Sequence, residues 1–334
     1  MADSHRILVT GATGAIGPRV VSALHDAGYQ MRTLSIDAPP AGVWPDGVEA
    51  RIADISDPAA VRSAVQGVDG VIHMAALLHI INPPPELKEK YERINVGGTV
   101  NIVEAARQAG VGRLVFFSTI AVYGASAGGV LTEDSSLRPD SFYAQTKLDA
   151  ERIVLAAKRE DGTPLGTVLR LGAVYGARVK GNYQRLLLAL ARNRFLPIGR
   201  GENRRTLVYD KDVARAALLA LRHPAAAGRI FNITDGKFHS INAIIQAICE
   251  VLDRKPPCLA LPVGPVRSLA GLIEDISRAC RLRSPMTRAT IDKYTEDVAV
   301  DGRRFCNQTG FVAKYDLASG WQDAVDEMRW RGDL

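Results

Sequence analysis

A doubly wound parallel α/β sheet, followed by a smaller C-terminal domain, is the architecture this sequence predicts, on three observations. A short β-branched run, Ile7-Leu8-Val9, breaks into the glycine turn Gly11-Ala12-Thr13-Gly14-Ala15-Ile16-Gly17. Strand-like and helix-like segments then alternate to about residue 177, a pattern that packs helices on both faces of a parallel sheet. Beyond Arg178 the alternation becomes irregular and the segments richer in Pro and Gly.

Taken in order, the first strand feeds a helix in which Ile16, Val20, Val21 and Leu24 recur at helical spacing, with Gly28 as a stop. Glycines suit this junction because the turn is tight, the backbone must approach a pyrophosphate, and the helix must sit close to the strand. The helix start offers unpaired N–H groups and a positive dipole end, and Pro18 removes no donor that the first turn uses. Gly11, Gly14 and Gly17 are therefore candidate dinucleotide-binding residues in a Rossmann-type βαβ unit. Residues 31–36 read as the second strand, and Asp37, 20 residues beyond Gly17, is spaced to accept hydrogen bonds from an adenosine ribose.

Residues 48–52 read as a third strand, 58–65 as a helix, and 70–76 as a strand running into small residues where a cofactor lies against the backbone. Pro83, Pro84 and Pro85 lead into one helix over about 87–109, and 114–119 is apolar enough for a buried parallel strand. A long helix opens at Ser141 and runs to about Arg159, before a sixth strand at 167–171. Helices at 183–193, 211–222 and 241–252 and a strand at 229–233 follow. The division expected is a dinucleotide-binding domain over 1–177 that receives returning elements from about 206–234, with 178–334 mainly substrate-binding.

Composition narrows the function. The 334 residues, 47% hydrophobic and 23% charged, support a core that needs no disulfide or metal staple. Cys249, Cys258, Cys280 and Cys306 lie 9, 22 and 26 residues apart with no CxxC pair, which points to a reducing compartment and no structural metal. The first strand begins within about five residues and no apolar run reaches the ~18 residues of a membrane span, so a cytoplasmic protein is expected. A net charge of +6 fits a solvated basic surface, an anionic substrate or an acidic membrane surface. With aromatics at 6% and no basic run interleaved with them, nucleic acid is not the expected partner.

The candidate chemistry lies at Tyr143 and Lys147, four apart and so on one face of their helix. A tyrosine titrates near ~10, and an ammonium beside it stabilises the phenolate and brings it toward the working range. The preceding strand ends in Ser118-Thr119, placing a hydroxyl at the carboxyl edge of the sheet, where open α/β folds bind their ligands.

These residues carry a resemblance. Gly11–Gly17, HMAA at 73–76, STIAVYG at 118–124, YAQTK at 143–147 and LRLGAVYG at 169–176 resemble the extended short-chain dehydrogenase/reductase family, and within it the sugar-nucleotide epimerases. The likeness continues through RTLVYDKDVA at 205–214, against that family's R-D-F-x-H-V-x-D-V-A, and reaches Gly310-Phe311 and Gly320-Trp321. It implies Tyr143 as acid/base, Lys147 on the nicotinamide ribose, and Thr119 on the same substrate oxygen as Tyr143. It also implies Asp54 and Ile55 beside the adenine, Ala75 along the cofactor, and Asn182 and Arg205 at the substrate's nucleoside diphosphate. The implied cofactor is NAD, with NADP left open, the substrate a UDP-sugar altered at C4, and the assembly a homodimer.

Three departures qualify these expectations. The family's ribose-binding aspartate falls at Ser35, so Asp37 would reach from two residues further on. The Asp-Glu pair of the dehydratases is Ile120-Ala121, which argues against dehydration, and the aspartate and histidine of R-D-F-x-H are Thr206 and Tyr209. Epimerase and 4-ketoreductase share the machinery, a hydroxysteroid dehydrogenase would use the same three residues, and a dinucleotide sensor would need no tuned phenol. Residues 264–283 place Val266, Leu269, Ala270, Ile273, Ile276 and Cys280 on one helical face, with Arg267, Arg278, Arg281 and Arg283 against Glu274 and Asp275. Such a helix either lies in a membrane interface or packs over the substrate domain as an ordinary surface helix.

Overall fold

The structure, a computed structural model, describes every residue except 1–4, 40, 79, 81–83, 127, 281, 283 and 285. Pro83, Arg281 and Arg283 lie outside the described residues. The first half alternates as the sequence predicts: β1 (Arg6–Thr10), α1 (Gly17–Asp26), β2 (Gln30–Ser35), β3 (Glu49–Ile52), α2 (Pro58–Val65) and β4 (Gly70–His73). Then come α3 (Leu87–Tyr91), α4 (Gly98–Gln108), β5 (Arg113–Thr119), the short β6 (Val130–Leu131), α5 (Phe142–Ala156), β7 (Gly166–Leu171) and β8 (Ala173–Tyr175). Next are α6 (Asn182–Ala191), β9 (Arg204–Arg205), β10 (Leu207–Tyr209), α7 (Asp210–Arg222), β11 (Ile230–Ile233), β12 (His239–Ser240) and α8 (Ile241–Val251). The chain ends with α9 (Val263–Ala279), α10 (Arg288–Thr295), β13 (Ala299–Val300), α11 (Arg303–Thr309) and α12 (Leu317–Arg331).

Seven strands form one parallel sheet in the order β11-β7-β5-β4-β1-β2-β3. The order reverses direction between β1 and β4, which makes the crevice at their carboxyl ends the topological switch point where such sheets bind ligands. Alternation along each strand supplies two cores. Ile7, Val9, Ile72, Val115, Phe117 and Leu169 face α1 and α7, while Leu8, Val71, Leu114, Phe116 and Val168 face α2, α4 and α5. Every one of these side chains is buried, each stabilising the fold by about 1.5–3 kcal/mol. Helix α7 packs on α1, and β11 closes the sheet beside β7, so residues beyond 206 return to the sheet. A third core around Trp321, Tyr175 and Tyr209 joins α6, α8 and α12.

One expected element differs. The single helix predicted over 87–109 is α3, a π-helical stretch at Glu92–Gly97, and α4. The widened turn carries Asn95, whose side chain is fastened outside the helix: Oδ1 accepts from Leu77 N at 2.7 Å, and Nδ2 donates to Leu77 O and to Thr146 Oγ, both at 3.1 Å. Such insertions concentrate at functional sites. This one ties the segment after β4 to the helix bearing Tyr143.

Candidate active site

Each glycine of the turn has its own reason. Gly11 adopts φ +71°, in the left-handed region, and a Cβ there would stand 2.8 Å from the Ala75 backbone. On Gly17, the first residue of α1, a Cβ would come within 2.0 Å of Ala12 O, while on Gly14 it would meet Gly11 O at 3.1 Å. The α1 N-terminus has no side-chain cap, and with Gly17 N on Gly14 O at 3.2 Å, Arg19 N on Ile16 O at 3.0 Å and Pro18 lacking an N–H, its positive dipole end is what it offers an anion at the switch point. The turn therefore fits a dinucleotide: a cradle of backbone that side chains would fill, opening on an uncapped helix. Ala75, which Gly11 touches, forms the wall of that cradle.

A buried chain of hydrogen bonds fixes the cradle to the sheet. Thr99 gives its hydroxyl proton to Asn95 O at 2.6 Å, so it accepts from His73 Nε2 at 3.1 Å. His73 Nδ1 then accepts the Thr10 hydroxyl at 2.7 Å, and Thr10 Oγ accepts the backbone N–H groups of Met74 and Ala75, both at 3.2 Å. Burial, with Lys147 nearby, pulls His73 down to about 3, so the ring is neutral and one tautomer serves the whole chain.

The adenosine-side residues are placed as follows. Ser35 ends β2 buried, and its hydroxyl accepts from Thr13 N at 3.4 Å, so this departure from the family is occupied in holding the glycine turn. Asp37 lies exposed in a bend two residues beyond the strand. Asp54 Oδ1 accepts from Ser56 N at 2.8 Å in the turn after β3, and Ile55 is buried against Gly98.

Helix α5 is started by Ser141, whose hydroxyl accepts from Ala144 N at 3.2 Å, and it packs along β5 and the turn Ile120–Tyr123 that follows Thr119. Thr119 is half-buried, and its Oγ accepts from Ala121 N at 3.1 Å. Tyr143 is half-buried, and Lys147 is buried with Nζ 3.9 Å over the Phe116 ring centroid. Here the electrostatics correct the sequence reading. Burial, reinforced by the Tyr91 phenol, pushes Tyr143 up to about 12, and burial pulls Lys147 down to about 7 against the opposing pull of Glu151. Desolvation of both groups outweighs the expected lowering of the phenol by the lysine.

Two further residues carry this site. Glu151, one turn beyond Lys147, is buried and accepts from Arg170, with Nε to Oε1 at 3.0 Å and Nη2 to Oε2 at 2.7 Å, and from the Ser118 hydroxyl. Arg170 Nη1 donates to Tyr123 Oη at 2.9 Å, and Tyr123 donates to Asn232 Oδ1 at 2.7 Å. This network locks α5, β5, β7 and β11 together beneath Lys147. A glutamate four after the lysine and an arginine inside an apolar strand were the available signals.

On the substrate side, Asn182 is the exposed first residue of α6. Arg205 is committed elsewhere: Nη1 donates to Glu296 O at 2.6 Å, and Nη2 to Lys293 O at 2.7 Å and Tyr294 O at 2.8 Å. Its two terminal nitrogens thus clamp the end of α10, where a diphosphate was expected to meet them. Thr206 also holds chain, donating to Val298 O at 3.1 Å and accepting from Val300 N at 2.8 Å, and Tyr209 donates its hydroxyl to Asp323.

A parallel sheet with a glycine cradle at its switch point and a tyrosine–lysine helix against the next strand defines a dinucleotide-dependent enzyme of the extended short-chain dehydrogenase/reductase type. The chain belongs to the NAD-dependent epimerase/dehydratase family, whose profile matches residues 7–234, and its cofactor is NAD. It is similar to the N-acetyl-α-D-glucosaminyl-diphospho-ditrans,octacis-undecaprenol 4-epimerase of Escherichia coli O157:H7, at 27% identity over 94% of this chain and 92% of the relative. A UDP-glucose 4-epimerase of Vibrio cholerae is 28% identical over 77% of this chain and 78% of its own. Among solved structures, MoeE5 in complex with UDP-glucose and NAD is 28% identical and superposes with a TM-score of 0.76, covering 98% of this chain and 99% of MoeE5.

Proposed function

We propose that this enzyme inverts C4 of a UDP-sugar through a redox-neutral oxidation and re-reduction. The observation that carries this reading is the packing of α5, with Tyr143 and Lys147, directly on β5 and the turn after Thr119, at the same edge of the sheet as the glycine cradle. Bound NAD supplies a hydride acceptor and, once reduced, a hydride donor. Tyr143, raised to about 12 in the cofactor-free protein, acts as a phenolate when a protonated Lys147 and the positive charge of bound NAD offset that burial, and in that form it takes the proton from the substrate hydroxyl as the carbonyl forms and returns it as the carbonyl is reduced. Thr119 hydrogen-bonds the same oxygen, and a protonated Lys147 stabilises the phenolate. The similarity to a 4-epimerase over nearly the whole chain supports epimerase over ketoreductase. Incubation with catalytic NAD and UDP-glucose or UDP-N-acetylglucosamine, followed by proton NMR, tests it: appearance of the C4-inverted sugar at constant NADH absorbance is expected. Stoichiometric NAD(P)H consumption identifies a reductase.

One observation favours a second reading of the carrier. Arg205, expected at a nucleoside diphosphate, is held by chain carbonyls, and the Escherichia coli relative is named for a lipid-diphosphate sugar. We infer as the alternative that the sugar is carried on a polyprenyl diphosphate, and the same NMR assay with that substrate decides between them.

A further inference from the structure

Helix α9 turns one apolar stripe inward, with Val263, Val266 and Ile273 half-buried in line with the buried Ala270. Ala270 and Gly271 are its fully buried residues, and the helix packs along the neighbouring α10. A Cβ on Gly271 would stand 2.4 Å from the Arg288 guanidinium, so the two helices meet closely there. Ion pairs fasten the contact: Arg267 to Asp292 at 2.7 Å, and Arg288 to Asp275 at 2.7 Å and to Glu274 at 3.5 Å. A second set of large apolar side chains points the other way. Leu269, Leu272 and Ile276, spaced three and four apart on one face, are 58%, 57% and 54% exposed. Leu259 and Leu282, beyond the two ends of the helix, are 72% and 69% exposed. This face contributes nothing to the enzyme's own core, and a contiguous apolar patch of this kind marks an interaction site.

Charge identifies the occupant. Residues 254–293 carry eight Lys and Arg against three Asp and Glu, which is +5 of the chain's +6. The three acidic residues, Glu274, Asp275 and Asp292, are all engaged in the ion pairs between α9 and α10, leaving the region basic. A second copy docking by the same face would set this charge against itself. A span is excluded for α9, because among the described residues no helix is long and apolar enough to cross a membrane. We propose that α9 is a membrane-docking helix, lying in the plane of an anionic lipid bilayer with Leu269, Leu272 and Ile276 inserted and the surrounding basic residues at the headgroups. Seventeen residues give it a length of about 25 Å along the surface. The inference goes beyond the catalytic reading and stands or falls without it.

The test is co-sedimentation of the full chain with vesicles of phosphatidylcholine alone or containing a quarter phosphatidylglycerol, at low and high salt. Binding to the anionic vesicles at low salt is expected, weaker at high salt and at least tenfold weaker in the Leu269→Glu/Leu272→Glu/Ile276→Glu variant. Since these side chains are exposed, the variant is expected to keep its melting temperature and NAD affinity, and Leu272→Gln alone serves as a milder check. Absence of binding to anionic vesicles at low salt, or equal binding by wild type and triple variant, overturns the proposal. So does a wild-type oligomer that the substitutions dissociate, with no vesicle binding by either form, which would assign the face to a second copy.

Discussion

Thr10 Oγ lies 2.7 Å from His73 Nδ1, joining the carboxyl ends of β1 and β4 at the point where the sheet reverses its order. Through this bond the backbone that carries the glycine cradle and the backbone that carries Ala75 are set relative to each other. The histidine serves as a neutral hydrogen-bond relay, acceptor on one nitrogen and donor on the other.

Replacing it by an apolar ring leaves two buried hydroxyls without their partner. His73→Phe should lower stability by about 1–3 kcal/mol and weaken NAD binding roughly tenfold, since the cost is that of unsatisfied buried polar groups at the cradle. Urea denaturation and calorimetric titration of NAD check both. Because His73 is pulled down to about 3, NAD affinity in the wild type should show no histidine titration from this residue between pH 5 and 8. An inflection lost in His73→Phe would contradict the relay.

Lys147 makes stability depend on pH. Its folded value is lowered to about 7 from an ordinary 10.5, so between those values the unfolded chain binds more protons than the folded one. Stability of the NAD-free protein should therefore rise with pH from about 7 toward 10.5, by at most about 1.4 kcal/mol per pH unit. Above pH 10 the trend reverses, because Tyr143, raised to about 12, ionises more readily in the unfolded chain. Lys147→Met should remove the rising limb. Parallel denaturation curves for wild type and variant at pH 7 and 9.5, with equal differences at both, would show that Lys147 is not desolvated.

Much of this site is legible in the sequence, and what is legible is local. Gly11, Gly14 and Gly17, the four-residue step from Tyr143 to Lys147, and the hydroxyl at the end of β5 are short-range patterns that their own elements enforce. What escapes involves partners far away in the chain. Asn95 opens α3–α4 into a π-helical stretch because Leu77 and Thr146, 18 and 51 residues distant, hold its side chain. Arg205 reads as a diphosphate ligand until carbonyls 88–91 residues on are seen to occupy it. The stripe expected over 264–283 is helical only to Ala279, short of Cys280, and packing splits it: Val266, Ala270 and Ile273 turn in, and Leu269 and Ile276 turn out beside Leu272.

Arg205 as a clamp gives an outcome distinct from Arg205 as a ligand. Arg205→Ala removes three hydrogen bonds from a charged donor, so amide protection of residues 288–296 in hydrogen exchange should fall, with a global loss of about 1–3 kcal/mol. Unchanged protection with only a raised KM would return Arg205 to the substrate.

Cofactor choice tests Asp37. With Ser35 engaged by Thr13, the exposed Asp37 is the carboxylate nearest in sequence to the β2 end, and a 2′-phosphate beside it is repelled. NAD should bind more tightly than NADP, and Asp37→Ala should narrow the gap about tenfold. Equal discrimination in the variant means the preference comes from elsewhere.

The central claim is that Tyr143 moves the proton. The direct measurement is turnover of Tyr143→Phe on a UDP-sugar, or on the polyprenyl-linked equivalent, together with its NAD affinity and melting temperature. C4 inversion should fall by roughly 10²–10⁴-fold while NAD binding and folding are retained. A variant that epimerises at the wild-type rate would remove Tyr143 from the chemistry and contradict the account.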